Sequence, residues 1–223
     1  ITANVLLGMG YTEISVGIGY NKDKIEEIFG KDFKFDSWDI LFKPENAKKL
    51  KQCGIAVLDS PIEITSVVMH YLGKDPSSEK ASDYNEALDI LTKFASNVSY
   101  FHSSRYINDL ASGEVCVAVG YSGDVLQATQ RAKAEKINIE YTIPKEGSIF
   151  WFDCWTIAAN ADHYDNALKW FNYLQDPKVA TNVANEIRYL LPVNAAIENI
   201  DQDLKDNPSF NIPEDKIKTM YFV

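Results

Sequence analysis

The sequence has few of the residues that perform most enzyme chemistry. Of its 223 residues only three are histidine, namely His70, His102 and His163, and none lies in a nucleophile motif. A Gly-x-Ser-x-Gly elbow is missing, and no group of His, Cys and Asp has the spacing of metal ligands. No glycine-rich phosphate loop follows a predicted strand. We therefore expect no catalytic residue, no metal site and no bound cofactor.

Long apolar runs and an excess of positive charge are missing as well. No segment approaches the ~20 apolar residues of a membrane span, so we expect no direct membrane insertion. No basic and apolar export signal stands at the start, so such a signal has been removed or was never there. The net charge of -10 argues against a nucleic-acid partner and mildly favours a cationic ligand, although it also serves solubility. The length allows one large domain or two small lobes.

Cysteine is scarce, and the three cysteines match no zinc or redox motif. Cys53 precedes one predicted strand and Cys116 lies in another, so neighbouring strands could bring the two within disulfide reach. From the spacing alone, two buried free thiols are the favoured interpretation. Cys154 has no partner suggested by its position.

Predicted helices and strands alternate along the chain. The predicted strands are Val16–Tyr20, Gly54–Leu58, Val115–Gly120, Ile137–Ile143 and Ile149–Ala158. Helix starts are indicated at Asn21, Asp36, Pro44, Ser60, Ser82, Ser103, Gly123, Asp165, Asp176 and Pro213. Residues 1–16 are expected to be irregular, while Trp38 and Trp170 are expected in the core. This pattern predicts an α/β fold with a largely parallel sheet, in which ligands bind where strands end and helices begin.

An aromatic residue precedes an acid by two or three positions at the ends of two predicted strands. Tyr121 and Asp124 come after one strand, and Trp151 and Asp153 lie in the other. Carboxylates make charge-assisted hydrogen bonds to ammonium groups, and aromatic faces attract cations. These residues therefore suit an organic cation such as a diamine. The alternative stays open that Asp124 only caps a helix and that Trp151 is a core residue.

Two further positions carry weaker signals. Glu63 lies in the first turn of the helix after Pro61, where the helix dipole stabilises a carboxylate whatever its function. Tyr189 follows a predicted helix end and has no signal of its own.

Several short segments, in this order, resemble one known family. They are Gly17–Asn21, Lys43–Asn46, Tyr71–Pro76, Tyr100–Ser104, Tyr106–Ala111 and Ile143–Gly147. Across nearly its whole length the chain resembles the periplasmic polyamine-binding proteins of ABC transporters, and among them the putrescine-binding type. The resemblance implies an α/β fold of the type II periplasmic-binding-protein kind, with two lobes that close on ligand. It also implies a non-enzymatic periplasmic receptor that delivers putrescine or a related polyamine to a membrane permease.

The family's ligand positions fall on six residues of this chain. The resemblance assigns ligand binding to Glu63, Tyr121, Asp124, Trp151, Asp153 and Tyr189. Tyr121 stands where the family usually has Trp, and Ile62 stands where the putrescine-type protein has a second glutamate. Glu13 stands where the family has an aromatic residue. Spermidine or another organic cation is an alternative ligand, and a sensory or regulatory domain on the same scaffold is an alternative function.

The resemblance also implies an incomplete pair of lobes. Residues 17–128 and 192–223 correspond to a largely complete second lobe, residues 1–16 and 129–144 to crossover segments, and residues 145–191 to a remnant of the first lobe with the return crossover. Family members carry a further N-terminal segment, so we expect this chain to be a truncated fragment that binds ligand weakly or not at all.

The same resemblance changes the interpretation of the cysteines. Cys53 and Cys116 fall where the putrescine-type protein has cysteines in one lobe, and a periplasmic compartment permits oxidation. We therefore expect a Cys53–Cys116 disulfide, with Cys154 left free.

Overall fold

A computed structural model describes residues 5–208 and 210–222, and for residues 5–8 it describes the backbone only. The strands within this part of the chain are β1 (Val5–Asn21), β2 (Ile55–Val57), β3 (Tyr100–Phe101), β4 (Val117–Tyr121), β5 (Ile139–Thr142) and β6 (Phe150–Ala158). The helices are α1 (Lys22–Phe29), α2 (Asp39–Phe42), α3 (Pro44–Leu50), α4 (Pro61–Tyr71), α5 (Asn85–Ala95), α6 (Tyr106–Ser112), α7 (Ser122–Ala132), α8 (Tyr164–Leu174), α9 (Pro177–Ile187), α10 (Asn194–Ile197), α11 (Gln202–Lys205) and α12 (Glu214–Ile217). A 3-10 helix, Ala81–Tyr84, precedes α5.

The main sheet is mixed, with the strand order β3-β2-β4-β1-β5, and β6 also pairs with β1. β2 is parallel to both β3 and β4, whereas β1 is antiparallel to β4 and β5. The α/β class is confirmed, but the prediction of a largely parallel sheet is wrong. The apolar runs indicated burial on both faces, which says nothing about the direction of a strand.

β1 is longer than the sequence indicated. Glycine in its first half is typical of turns, yet the strand continues from Val5 to Asn21, so the prediction of irregular structure up to residue 16 is wrong for residues 5–16. Residues 1–4 lie outside the described residues. Glycine within a strand often marks a close approach, and a Cβ at Gly19 would lie 2.7 Å from the Cγ1 atom of Val125. Gly19 therefore serves close packing within the strand.

The chain forms two compact units. Unit 1 comprises the described residues among 1–14 and 151–211, and unit 2 comprises those among 15–150 and 212–223. Unit 1 contains α8 to α11, while unit 2 contains α1 to α7 and α12. The lobe boundaries expected from the family resemblance stay a prediction; they include residues 1–4, 209 and 223, which lie outside the described part of the chain.

The core of unit 2 contains the predicted tryptophan. Trp38 is fully buried, and its Nε1 donates a hydrogen bond of 2.9 Å to the carbonyl of Gly147. The start of α1 also follows the prediction, because the side chain of Asn21 accepts a hydrogen bond from the Lys24 amide. Gly30 ends that helix, with its amide bonded to the Glu26 carbonyl.

The disulfide expected from the resemblance is present in unit 2. Cys53 and Cys116 are bonded, with their Cα atoms 5.4 Å apart, and Cys154 is free and exposed. The bond joins the turn after α3 to the residue that precedes β4, so two segments distant in sequence are held at neighbouring strands.

Unit 1 corrects the prediction for Trp170. The inward side of α8 is formed by Phe171 and Leu174, which are buried, whereas Trp170 is 51% exposed and packs against Tyr173 at 5.5 Å between ring centroids. Trp170 lies one residue before the inward face, and a rotation of about 100° per residue turns it away from the core.

Candidate functional site

Three of the predicted ligand residues lie at one edge of the sheet in unit 2. β2 and β4 are parallel neighbours, with Val57 opposite Val119, so their carboxyl ends meet at the same edge. Glu63 is in the first turn of α4, Tyr121 is the last residue of β4, and Asp124 is in the first turn of α7. This is the kind of edge where α/β sheets bind ligands.

Asp124 is held by a tyrosine that the sequence reasoning did not single out. The hydroxyl of Tyr106 donates a hydrogen bond of 2.8 Å to Oδ2 of Asp124. The same hydroxyl accepts a hydrogen bond of 3.0 Å from the amide of Tyr121. Tyr106 is fully buried, and it lies within a segment that carried the family resemblance but gave no separate signal of a role.

Glu63 presents a buried oxygen atom without a donor. Its Oε2 has no hydrogen-bond partner within residues 5–208 and 210–222, although the side chain as a whole is half-buried. The nearby Ser66 hydroxyl bonds to the backbone carbonyl of Glu63 and leaves this oxygen unpaired. Because a buried carboxylate oxygen is costly without a donor, the position favours a cationic hydrogen-bond donor.

In unit 1, the predicted aromatic and acid are in direct contact. Trp151 Nε1 donates a hydrogen bond of 3.1 Å to Oδ1 of Asp153, and Thr12 Oγ1 donates one of 3.5 Å to Oδ2. Trp151 is half-buried and Asp153 is exposed, whereas Thr12 is buried. Trp151 is therefore not the core residue that the alternative interpretation required. Thr12 was not expected to contribute, because no pattern in β1 pointed to it.

Tyr11, which lies near Asp153, belongs to an aromatic pair. Tyr11 packs edge-on against Trp155, with ring centroids 5.2 Å apart. Burial and the nearby Asp153 carboxylate both raise the pKa of Tyr11, so its hydroxyl stays protonated. Unit 1 thus combines an acid with several aromatic faces.

Tyr189 and Glu13 are brought close by backbone pairing. The amide of Glu13 donates a hydrogen bond of 2.9 Å to the carbonyl of Leu190, the residue after Tyr189. Glu13 is half-buried, and burial raises the pKa of its carboxyl group. Arg188 ends α9 in the left-handed conformation and pairs with Asp201 and Asp203, which fixes the chain just before Tyr189. Tyr189 itself is half-buried.

The six residues therefore fall into two sets, each described within its own unit. Unit 2 gathers three of them at one sheet edge, and unit 1 places Trp151 against Asp153, with Tyr189 after α9. An apolar pocket of about 200 Å³ adjoins the start of α4 and is lined by Pro61, Ile64 and Phe101 among others, but not by Glu63.

The described residues form neither a metal-binding cluster nor a membrane-spanning helix. Among them, no cluster of three or more His, Cys, Asp and Glu side chains could hold a metal ion. None of the helices in residues 5–208 and 210–222 is both apolar enough and long enough to span a bilayer.

Comparison with known proteins relates the chain to putrescine-binding proteins. It is 44% identical over 210 residues to the putrescine-binding periplasmic protein PotF of Escherichia coli K12, covering 93% of this chain and 57% of that protein. It is 40% identical over 209 residues to the putrescine-binding periplasmic protein SpuD of Pseudomonas aeruginosa UCBPP-PA14, with the same coverage of 93% and 57%. The chain thus spans a little more than half the length of these relatives.

A solved structure agrees with these matches. A Listeria monocytogenes protein, described as belonging to a spermidine/putrescine ABC transporter, superimposes with a TM-score of 0.83 at 27% identity, over 96% of this chain and 62% of that one. The family model for bacterial extracellular solute-binding proteins matches residues 2–212. The resemblance predicted from short segments is thereby confirmed, and the chain belongs to the family of bacterial extracellular solute-binding proteins.

Proposed function

We propose that the chain is a portion of a periplasmic receptor that binds putrescine or a related polyamine and delivers it to the permease of an ABC transporter. The observation that carries the proposal is the buried, unpaired Oε2 atom of Glu63, at the same sheet edge as Asp124. The names of the relatives support putrescine as the ligand. The receptor performs no chemical step on its ligand.

The chemistry of a diamine fits the two sets of residues. In unit 2 the carboxylates of Glu63 and Asp124 are suited to bind an ammonium group, and in unit 1 the carboxylate of Asp153 is suited to do the same. Charge-assisted hydrogen bonds of this kind are roughly twice as strong as neutral ones. Tyr121 and Trp151 would offer flat apolar faces to a methylene linker, and a ring face placed against an ammonium group would add cation–π attraction of about 0.5–2 kcal/mol.

The proposal also gives a role to Tyr189 and assigns residues to two lobes. Tyr189 would contribute a further aromatic wall from unit 1. The proposed second lobe comprises residues 17–128 with 192–223, and residues 145–191 are the proposed remnant of the first lobe with the return crossover. The Cys53–Cys116 disulfide is consistent with an oxidising periplasm.

The experiment is isothermal calorimetry with putrescine, cadaverine, spermidine and agmatine, performed on the protein at its natural length. Putrescine or another polyamine should bind with a measurable enthalpy and raise the melting temperature. Glu63→Gln, Asp124→Asn and Asp153→Asn should each weaken binding tenfold or more, because an ammonium group loses a charged partner.

Asp89→Asn is the matched control, since Asp89 is exposed on α5 and pairs only with Lys93 among the described ion pairs. This variant should bind like the wild type. If Asp124→Asn and Asp153→Asn both retain wild-type affinity, the assigned site is wrong. If none of the four amines binds, the proposed ligand class is wrong.

A further inference from the structure

We infer that Tyr106 is a positioning residue that sets the Asp124 carboxylate and the end of β4 for ligand binding. This inference rests on the proposed function, because it assigns Tyr106 a role through a residue of the proposed site. Tyr106 lies on α6, outside the two segments that supply Tyr121 and Asp124.

The hydroxyl of Tyr106 joins the two sides of the strand-to-helix turn. It accepts the amide hydrogen of Tyr121, the last residue of β4, at 3.0 Å. It donates to Oδ2 of Asp124, in the first turn of α7, at 2.8 Å. A tyrosine hydroxyl has a single hydrogen, and the Tyr121 amide can only donate, so the proton of Tyr106 is directed to the carboxylate.

The ring of Tyr106 has little freedom to move. The side chain is fully buried, and a Cβ at Gly120 would lie only 2.5 Å from Cε2 and 2.8 Å from Cζ of the ring. The ring therefore packs directly against the backbone of β4, one residue before Tyr121. A rigid donor holds Asp124 in one rotamer before ligand arrives, which reduces the entropy that binding costs.

A double-mutant cycle tests the inference. Tyr106→Phe, Asp124→Asn and the double variant are compared with the wild type by calorimetry with putrescine, using the protein at its natural length. Tyr106→Phe should weaken binding about five- to tenfold, because the carboxylate loses its fixed donor. In the Asp124→Asn background the same change should have almost no further effect, since the carboxylate that Tyr106 positions is gone.

Two controls separate positioning from general loss of stability. Tyr71→Phe removes a similar bond, of 2.7 Å to Asp39, at the far end of α4 and should leave the affinity unchanged. Asp124→Glu keeps the charge but moves the carboxylate by one methylene, and it should weaken binding even though Tyr106 is intact. This second variant keeps the inference testable if Tyr106→Phe does not fold.

The outcomes distinguish the inference from the proposed function. Wild-type affinity of Tyr106→Phe or of Asp124→Glu, together with weak binding by Asp124→Asn, overturns the positioning role and leaves the site intact. Fully additive effects of Tyr106→Phe and Asp124→Asn also overturn it. Wild-type binding by Asp124→Asn shows that the proposed site is wrong at this residue, and the inference falls with it.

Discussion

Cys53 and Cys116 are linked twice, once through their sulfur atoms and once through their backbones. The Cys116 amide donates a hydrogen bond of 2.9 Å to the carbonyl of Cys53, beside the disulfide. The covalent bond closes a loop between residues separated by 63 positions in the sequence. Because a closed loop restricts the unfolded chain more than the folded one, the disulfide stabilises unit 2.

Removing the disulfide should therefore destabilise the protein. The double variant Cys53→Ser with Cys116→Ser should lose about 4 kcal/mol of unfolding free energy by the chain-entropy relation, measured by urea denaturation. Cys154→Ser is the control and should leave the stability unchanged, because that thiol is exposed and free. Labelling of three cysteines in the denatured, unreduced protein would contradict the bond.

Gly147 should be intolerant of a side chain. Its φ is +96°, and a Cβ would collide with the carbonyl of Thr219. Gly147→Ala should destabilise the protein by about 3 kcal/mol, since backbone strain and overpacking act together. Gly73→Ala is the matched control, because Gly73 has a φ of +69° with open space around it, and it should cost only about 1 kcal/mol. Equal effects on the thermal unfolding of both variants would show that the contact with Thr219 does not matter.

Glu140 should contribute stability that disappears in acid. Burial raises the pKa of this carboxyl group, but hydrogen bonds from Lys22 and Tyr20 outweigh burial and lower it overall. Because the pKa of Glu140 is lower in the folded state than in the unfolded chain, its ionised carboxylate stabilises the folded state at higher pH. This contribution is lost as the pH falls through the folded-state pKa. Glu140→Gln should thus cost about 0.5 kcal/mol at pH 7 and nothing once Glu140 is protonated.

The measurement is urea denaturation at a series of pH values. Glu27→Gln, which disrupts the exposed Lys24–Glu27 pair, should have a smaller effect at pH 7. A destabilisation by Glu140→Gln that is the same at pH 3 and pH 7 would show that the charge is not responsible.

Glu13 should have the opposite dependence on pH. Burial raises the pKa of Glu13, so the folded state binds its proton more tightly than the unfolded chain does. The folded state therefore loses stability as the pH rises from the unfolded-state pKa of Glu13 to its raised folded-state pKa. The full loss of stability applies above the raised pKa. Glu13→Gln should raise stability at pH 7 by about 0.5 kcal/mol, or roughly 1–2 °C in melting temperature, with no gain in acid. Glu186→Gln, at an exposed position on α9, should be neutral, and a loss of stability in Glu13→Gln at pH 7 would contradict the argument.

Much of the fold was predictable because its signals are local. Asn21 caps α1 and Gly30 ends it. Pro44 and Pro61 each occupy the first position of a helix, where the amide hydrogen that proline lacks would have no partner within the helix. The first half of β1 was not predictable, since its pairing partner β6 is remote in sequence and its glycines resemble breakers. β3, with two residues, is too short to leave a periodic pattern.

The candidate site was predictable only in part. Asp124 and Trp151 could be singled out because an acid or an aromatic at a strand end is visible in the sequence. The buried oxygen of Glu63 could not be foreseen, since burial of a single atom depends on tertiary packing. Thr12 and Tyr106 gave no signal either, because a hydroxyl that bonds to a distant carboxylate leaves no local pattern.

The contact between Tyr106 and Gly120 also limits which substitutions the sequence can accept at these two positions. The ring occupies the space that any side chain at position 120 would need, so glycine there is a consequence of the aromatic residue on α6. Substitution at position 120 becomes sterically permissible only after the ring has been lost. The two positions therefore form an ordered evolutionary pair, in which the change on the helix has to come first.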